Sequence, residues 1–168
     1  TGELADSLAT DHLTDFSLEI CQVMDEFPNA TLELKTKSIT IENLLTRPGK
    51  KNITISWSLN PPKIQENYER FTATIEDRIR AAKVVLDHGY SVAFHFDPLI
   101  DQPVEEYEKC FRMIRDLVGP AALKWISLGS LRMTEGLKEA MNERFPYNQL
   151  TNAEFLKSND GKYRYAKS

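Results

Sequence analysis

The sequence predicts an α/β fold of parallel βα units, on three observations. Short runs rich in β-branched and aromatic residues alternate four times with stretches of helical apolar spacing, the order that a parallel sheet with crossover helices requires. Breaks containing Pro or Gly, such as Arg47-Pro48-Gly49, Asn60-Pro61-Pro62 and Gly119-Pro120, separate the segments. The runs also finish on polar residues of one parity: Lys35 and Lys37, then Ser56, Ser58 and Asn60, then His95 and Asp97, and last Ser127 and Gly129. Alternate strand residues share a face, and α/β proteins build their sites at the C-terminal ends of parallel strands.

A helix comes first, because Leu13, Phe16, Ile20, Val23, Met24 and Phe27 recur at helical spacing until Pro28-Asn29 stops them. Residues 31–37 read as a strand, 39–45 as a short helix, and 52–59 as a second strand dense in Ile, Thr and Trp. An irregular polar segment runs from there to Thr72. Ile75, Ile79, Ala82, Val85 and Leu86 then mark one face of a helix that His88-Gly89 stops. Residues 90–96 form the third strand, ended by Asp97-Pro98, and Pro103 opens a helix through Tyr107, Phe111, Ile114 and Leu117. The fourth strand is 123–128, and the last helix is 134–145 with Thr134 as its N-cap. The chain divides into βα units over 1–147 and a tail over 148–168, in which Tyr163, Arg164 and Tyr165 add a short strand. Thr1-Gly2-Glu3 resembles the end of a strand; the expectation is then a piece of a larger barrel, in which 31–37 would have an unpaired edge.

The 168 residues can bury a real core, and 41% apolar with 27% charged residues describes a globular chain. A net charge of -4 excludes a general basic field, so nonspecific nucleic-acid affinity does not follow from charge. No apolar run is long enough to span a bilayer, and the N-terminus has no basic-then-apolar leader. The expectation is a cytoplasmic protein without membrane contact. Cys21 and Cys110 stand far apart among helix formers and read as buried structural thiols, not metal ligands.

Four groups of residues can carry chemistry. Lys35 and Lys37 share a face near a strand end, where a lysine either meets an anionic ligand or pairs with a neighbouring carboxylate. Ser56, Ser58 and Asn60 offer short donors and acceptors for a carboxylate, amide or hydroxyl, unless that face is simply solvated. His95 and Asp97 form an acid–base candidate, with a hydrogen-bonded structural histidine as the plainer reading. Arg132 after Ser127, Gly129 and Ser130 is a candidate clamp for an anionic substrate group. No Walker, GxGxxG or Ser-His-Asp pattern is present. Tyr163 and Tyr165 interleaved with Lys162 and Arg164 suit a nucleic-acid strand or an ordinary solvated end.

Taken in order, Ala5-Asp6-Ser7-Leu8-Ala9-Thr10-Asp11-His12, Leu34-Lys35-Thr36-Lys37-Ser38, Ile55-Ser56-Trp57-Ser58-Leu59-Asn60, Arg78-Ile79-Arg80-Ala81-Ala82-Lys83, the segment 89–100 and the closing Asp160-Gly161-Lys162-Tyr163-Arg164-Tyr165 resemble spore photoproduct lyase and its radical S-adenosylmethionine relatives. The resemblance implies part of a partial (β/α)6 TIM-like barrel. It also implies a [4Fe-4S] cluster on a Cys-x3-Cys-x2-Cys loop that this chain lacks, so the chain alone would be inactive. S-adenosylmethionine is the implied cofactor, with Lys37 at its methionine carboxylate and Ser58 and Asn60 lining its pocket. Glu3, His95, Asp97 and Arg132 are then expected on the substrate side, with Glu3 where the family has a hydrogen-donor cysteine. That departure, and Lys157-Ser158 where the family has an Arg-Tyr pair, point to a substrate other than the spore photoproduct. The expected partners are S-adenosylmethionine, the missing N-terminal part of the barrel and, as a further candidate, nucleic acid. The rival is a noncatalytic α/β module holding a phosphate or nucleic-acid ligand, or an interaction domain using the edge at 31–37.

Overall fold

A computed structural model describes residues 1 and 5–166. Four parallel strands in the order β1-β2-β3-β4 form the main sheet: β1 Leu32–Thr36, β2 Ile53–Ser58, β3 Ser91–Leu99 and β4 Leu123–Ser130. Between them run α3 Glu42–Leu45, α4 Pro62–Tyr68, α5 Ile75–Asp87 and α6 Val104–Leu117, after α1 Asp11–Thr14 and α2 Phe16–Glu26. This is the predicted α/β architecture, and it forms part of a TIM-like barrel wall.

Register assigns every strand residue to one of two faces. Leu34, Ile55 and Val92 stand side by side, as do Trp57, Phe94 and Ile126. Of these, Leu34, Ile55, Val92, Trp57 and Phe94 face the helices and pack with Ile79, Ala82 and Val85 of α5 and Cys110 and Ile114 of α6 in one apolar core, whereas Ile126 of β4 is exposed. Each fully buried large side chain there contributes roughly 1.5–3 kcal/mol of transfer free energy. On the other, concave face lie Glu33 and Lys35, Thr54, Ser56 and Ser58, Ala93 and His95, and Trp125 and Ser127. All six residues of β2 are buried, so its serines are not one face of a solvated amphipathic strand.

Several expectations need adjustment. The first helix is broken at Asp15, whose left-handed backbone (φ 51°) separates α1 from α2. The α2 face that enters the core carries Ser17, Cys21 and Met24, while Leu13, Phe16, Val23 and Phe27 are exposed. The segment read as irregular holds α4, opened by Pro62 at its first position and fixed by Ile64 in the core. Strand β3 runs through Asp97 and Pro98 to Leu99 instead of ending there. The last helix, α7 Leu137–Arg144, starts after Gly136 (φ 78°), so Thr134 is not its N-cap.

A smaller antiparallel sheet gathers β5 Arg132–Met133, β6 Phe155–Lys157 and β7 Tyr163–Tyr165 in the order β5-β7-β6. The predicted strand at Tyr163 to Tyr165 is therefore present, and it ties the tail to the chain just after β4. The edge of β1 is not bare: Lys35 N–H donates to the Thr1 carbonyl (3.3 Å) and Ser7 N–H donates to the Lys35 carbonyl (3.0 Å). Glu3 lies outside the described residues.

Candidate functional site

Polar groups converge at two places along the C-terminal ends of the strands. At the first, Lys37, Asn60 and Arg78 meet on one carboxylate, that of Glu69. Asp6 accepts from the Lys37 backbone N–H (2.6 Å) and from the Thr36 hydroxyl (2.6 Å), which fixes the chain as it leaves β1. The Lys37 ammonium then reaches Glu69 Oε1 at 3.2 Å. Asn60 donates to the same oxygen at 3.0 Å, and Arg78 donates to Glu69 Oε2 at 2.8 Å.

Arg78 sits at a core position of α5, with no part of its side chain exposed. Burying a guanidinium demands partners, and it has them: the Ser58 carbonyl at 2.7 Å, the Ala73 carbonyl at 2.9 Å and the Thr72 hydroxyl at 2.8 Å. Burial acts to raise the Glu69 carboxyl. The charges of Arg78 and Lys37 and the bonds from Asn60 and Arg78 outweigh it and hold Glu69 below the ordinary carboxylate range. Lys37, Arg78 and Glu69 by themselves carry one surplus positive charge, with the Asp6 carboxylate held at the Lys37 backbone, and Lys37 is the solvent-accessible cation of the three.

The second place is a cavity of about 630 Å³ against the concave face, lined among others by Glu33, Lys35, His95, Asp97, Ser127 and Arg132. His95 and Asp97 both reach it, but they do not pair with one another. His95 Nε2 meets Glu33 Oε1 at 2.6 Å, and Asp97 accepts from Arg132 at 2.7 Å. The Asp97 carboxylate occupies the place of a missing side chain, since a Cβ on Gly129 would fall 2.7 Å from Asp97 Oδ1. Burial acts to raise the Glu33 carboxyl, and the neighbouring Ser56 hydroxyl, His95 and Lys35 together hold it below the ordinary range.

The structure thus brings together Lys37 and Asn60 through Glu69, and Ser58 adjoins them by its backbone bond to Arg78. Glu33, Glu69, Arg78 and Asp6 were missed from the sequence. Arg78 had a signal, because it takes a core position in the spacing Ile75, Arg78, Ile79, Ala82. Glu33 had another, since it alternates with Leu32 and Leu34 on the face of Lys35.

The donors at the first place fit a ligand carboxylate bearing further polar groups, as in the methionine end of S-adenosylmethionine. The Asn60 side-chain oxygen is buried without a hydrogen-bond partner, so a ligand N–H or ammonium there would satisfy it. An iron–sulfur cluster does not fit the residues present. Cys21 and Cys110 are buried on different helices, burial pushes both thiols up to about 11, and no metal-ligand group exists among the described residues.

The sequence profile of the family described as Spore photoproduct lyase matches residues 3–168. A spore photoproduct lyase of Clostridium acetobutylicum is 32% identical over 135 residues, 79% of this chain and 40% of the relative. A solved spore photoproduct lyase double mutant with bound AdoMet and dinucleoside spore photoproduct superposes with a TM-score of 0.81 at 21% identity, covering 99% of this chain and 52% of that one. A second, complexed with dinucleoside spore photoproduct, gives a TM-score of 0.78 at 21% identity over 97% of this chain and 51% of that one. The chain therefore spans about half the length, or less, of the relatives it matches. By its matched length, its identity to a curated relative and its fold, the chain belongs to the spore photoproduct lyase family.

Proposed function

We propose that this chain supplies the cofactor-carboxylate pocket and the substrate-facing wall of a radical S-adenosylmethionine enzyme of the lyase type. The observation that carries the reading is the surplus positive charge of Lys37 and Arg78 on Glu69, beside the unpartnered oxygen of Asn60. When bound, the cofactor supplies a 5′-deoxyadenosyl radical, with the reducing cluster held outside this chain. Lys37 neutralises the methionine carboxylate, Asn60 accepts from its ammonium, and the Ser58 hydroxyl, which has no hydrogen bond among the described residues, stands beside them. A charge-assisted contact of this kind is worth roughly 1.5–3 kcal/mol.

His95, Asp97 and Arg132 form the substrate wall of the neighbouring cavity in this reading. Arg132 is already paired with Asp97, so the two present a hydrogen-bonding edge to the substrate and not a bare cation. The substrate we infer is a relative of the spore photoproduct, with nucleic acid as the partner class. Residues 1–147 act as the barrel portion and 148–168 as its tail. A cytoplasmic location belongs to the same proposal; no described helix is long and apolar enough to cross a membrane.

The test uses the parent protein with its cluster reconstituted. Lys37→Ala is expected to lower 5′-deoxyadenosine formation at least tenfold at subsaturating S-adenosylmethionine. Unchanged formation would refute the assignment of Lys37. A parent that binds no S-adenosylmethionine at all would favour the rival, a noncatalytic α/β module holding a phosphate or nucleic-acid ligand at the same strand ends.

A further inference from the structure

Two of the titratable groups on the cavity wall, Glu33 and His95, are joined to each other. Glu33 stands level with Thr54, and His95 stands level with Ser58. Their side chains therefore cross the concave face of β2 obliquely, as strand tilt in a barrel permits, and they pass over Ser56, the inward residue midway between. This crossing accounts for the complete burial of Ser56, whose hydroxyl makes no hydrogen bond of accepted geometry. His95 Nε2 bonds Glu33 and not Ser56, so the arrangement does not activate Ser56 as a nucleophile.

The bond at 2.6 Å commits His95 Nε2 to Glu33. No described residue bonds to Nδ1, and the ring lines the cavity with its other neighbour, Trp125, at 6.5 Å edge-on. A carboxylate on one nitrogen selects the tautomer with the proton there and leaves a lone pair on the other. The remaining charged side chains that line this cavity are Lys35 on β1, Asp97 on β3 and Arg132 on β5, and β4 contributes the Ser127 hydroxyl. Asp97 and Arg132 satisfy one another, whereas Lys35 makes no ion pair among the described residues.

We propose that Glu33 and His95 are an acid–base couple for a substrate carrying an acidic N–H or O–H, such as an imide or an enol. Nδ1 takes the proton, the electron pair stays on the substrate nitrogen or oxygen, and Lys35 faces the resulting anion. The imidazolium is balanced by Glu33 and returns its proton to the product. Glu33 is the positioning residue and His95 the group that meets substrate. Use of the couple in turnover rests on the radical-enzyme reading, but its geometry does not.

Two measurements on the 168-residue chain test it without cofactor, so its failure is separate from any failure to bind S-adenosylmethionine. Ring ¹⁵N shifts are expected to show neutral His95 protonated at Nε2. Glu33→Gln, or Glu33→Asp if the first variant does not fold, converts this to a tautomer mixture, while Asp97→Asn leaves it unchanged. Diethyl pyrocarbonate, which acylates an accessible unprotonated imidazole nitrogen, is expected to modify His95 within tenfold of the rate at exposed His12. A proton on Nδ1, a tautomer that follows Asp97 and not Glu33, or a His95 inert while His12 reacts would each overturn the couple. A merely structural bridge would give that inert result.

Discussion

Replacing Arg78 with Met is the most informative stability perturbation in this chain. Methionine keeps much of the aliphatic volume in the core position of α5 and removes the guanidinium alone. Three neutral oxygens lose their donor, at 2.7, 2.8 and 2.9 Å, and the buried Glu69 loses its partner at 2.8 Å. Breaking a buried charged pair from one side costs about 3–5 kcal/mol. Because Lys37 and Asn60 remain on Glu69, the expected loss lies at the lower end, about 3 kcal/mol. With an m-value of about 2 kcal/mol/M, the urea midpoint falls by about 1.5 M.

The loss has a pH signature whose sign follows from Glu69. Its carboxyl is held below the ordinary value of 4.5 in the folded protein, so its contribution is present above that pH and disappears as pH falls through the lower folded value. Without Arg78 the carboxyl rises. The gap between wild type and Arg78→Met is therefore widest at neutral pH and narrows in acid. Urea titrations at several pH values measure both effects. A loss under about 1 kcal/mol, or a gap that does not change with pH, would refute the view that this pair organises the site.

Other outcomes follow from close approaches and burial. Gly49→Ala puts a Cβ 2.5 Å from the Tyr90 nitrogen and 2.6 Å from the His88 carbonyl oxygen, both backbone atoms that cannot swing away; thermal or urea unfolding should record a loss of about 2 kcal/mol, and an unchanged midpoint would contradict it. Gly129→Ala meets only the movable Asp97 side chain, so the fold should survive while the Asp97–Arg132 pair opens, visible in the Arg132 guanidinium NMR signals. Cys21 and Cys110, their thiols pushed up to about 11 by burial, should resist a disulfide reagent at neutral pH until the chain unfolds. Labelling at the rate of a free thiol would show that these helices do not pack as described.

What was legible in the sequence was what repeats locally. Alternation in Ile55-Ser56-Trp57-Ser58 assigned the two faces of β2, and helical spacing placed α5 and α6. What was not legible depends on pieces that meet only after folding. Glu69 arrives from the end of α4, a helix with little apolar spacing beyond Ile64 and Tyr68, so neither it nor its hold on Lys37 had a local signal. The neighbours His95 and Asp97 share a face, as alternation requires, yet His95 bonds across β2 to Glu33 of β1 and Asp97 bonds to Arg132 of the smaller sheet, both far away in sequence. Apolar spacing at Leu13, Phe16, Val23 and Phe27 located the first helical region but not its buried side, because the core there is lined by the smaller Ser17 and Cys21.

In the proposed function, the charge at Lys37, Glu69 and Arg78 receives the methionine carboxylate of S-adenosylmethionine. Calorimetric titration of the parent protein with S-adenosylmethionine and with its decarboxylated form isolates that carboxylate. The decarboxylated form is expected to bind at least tenfold more weakly, and that difference is expected to vanish in Lys37→Met. Equal affinity of the wild-type protein for the two compounds would contradict it.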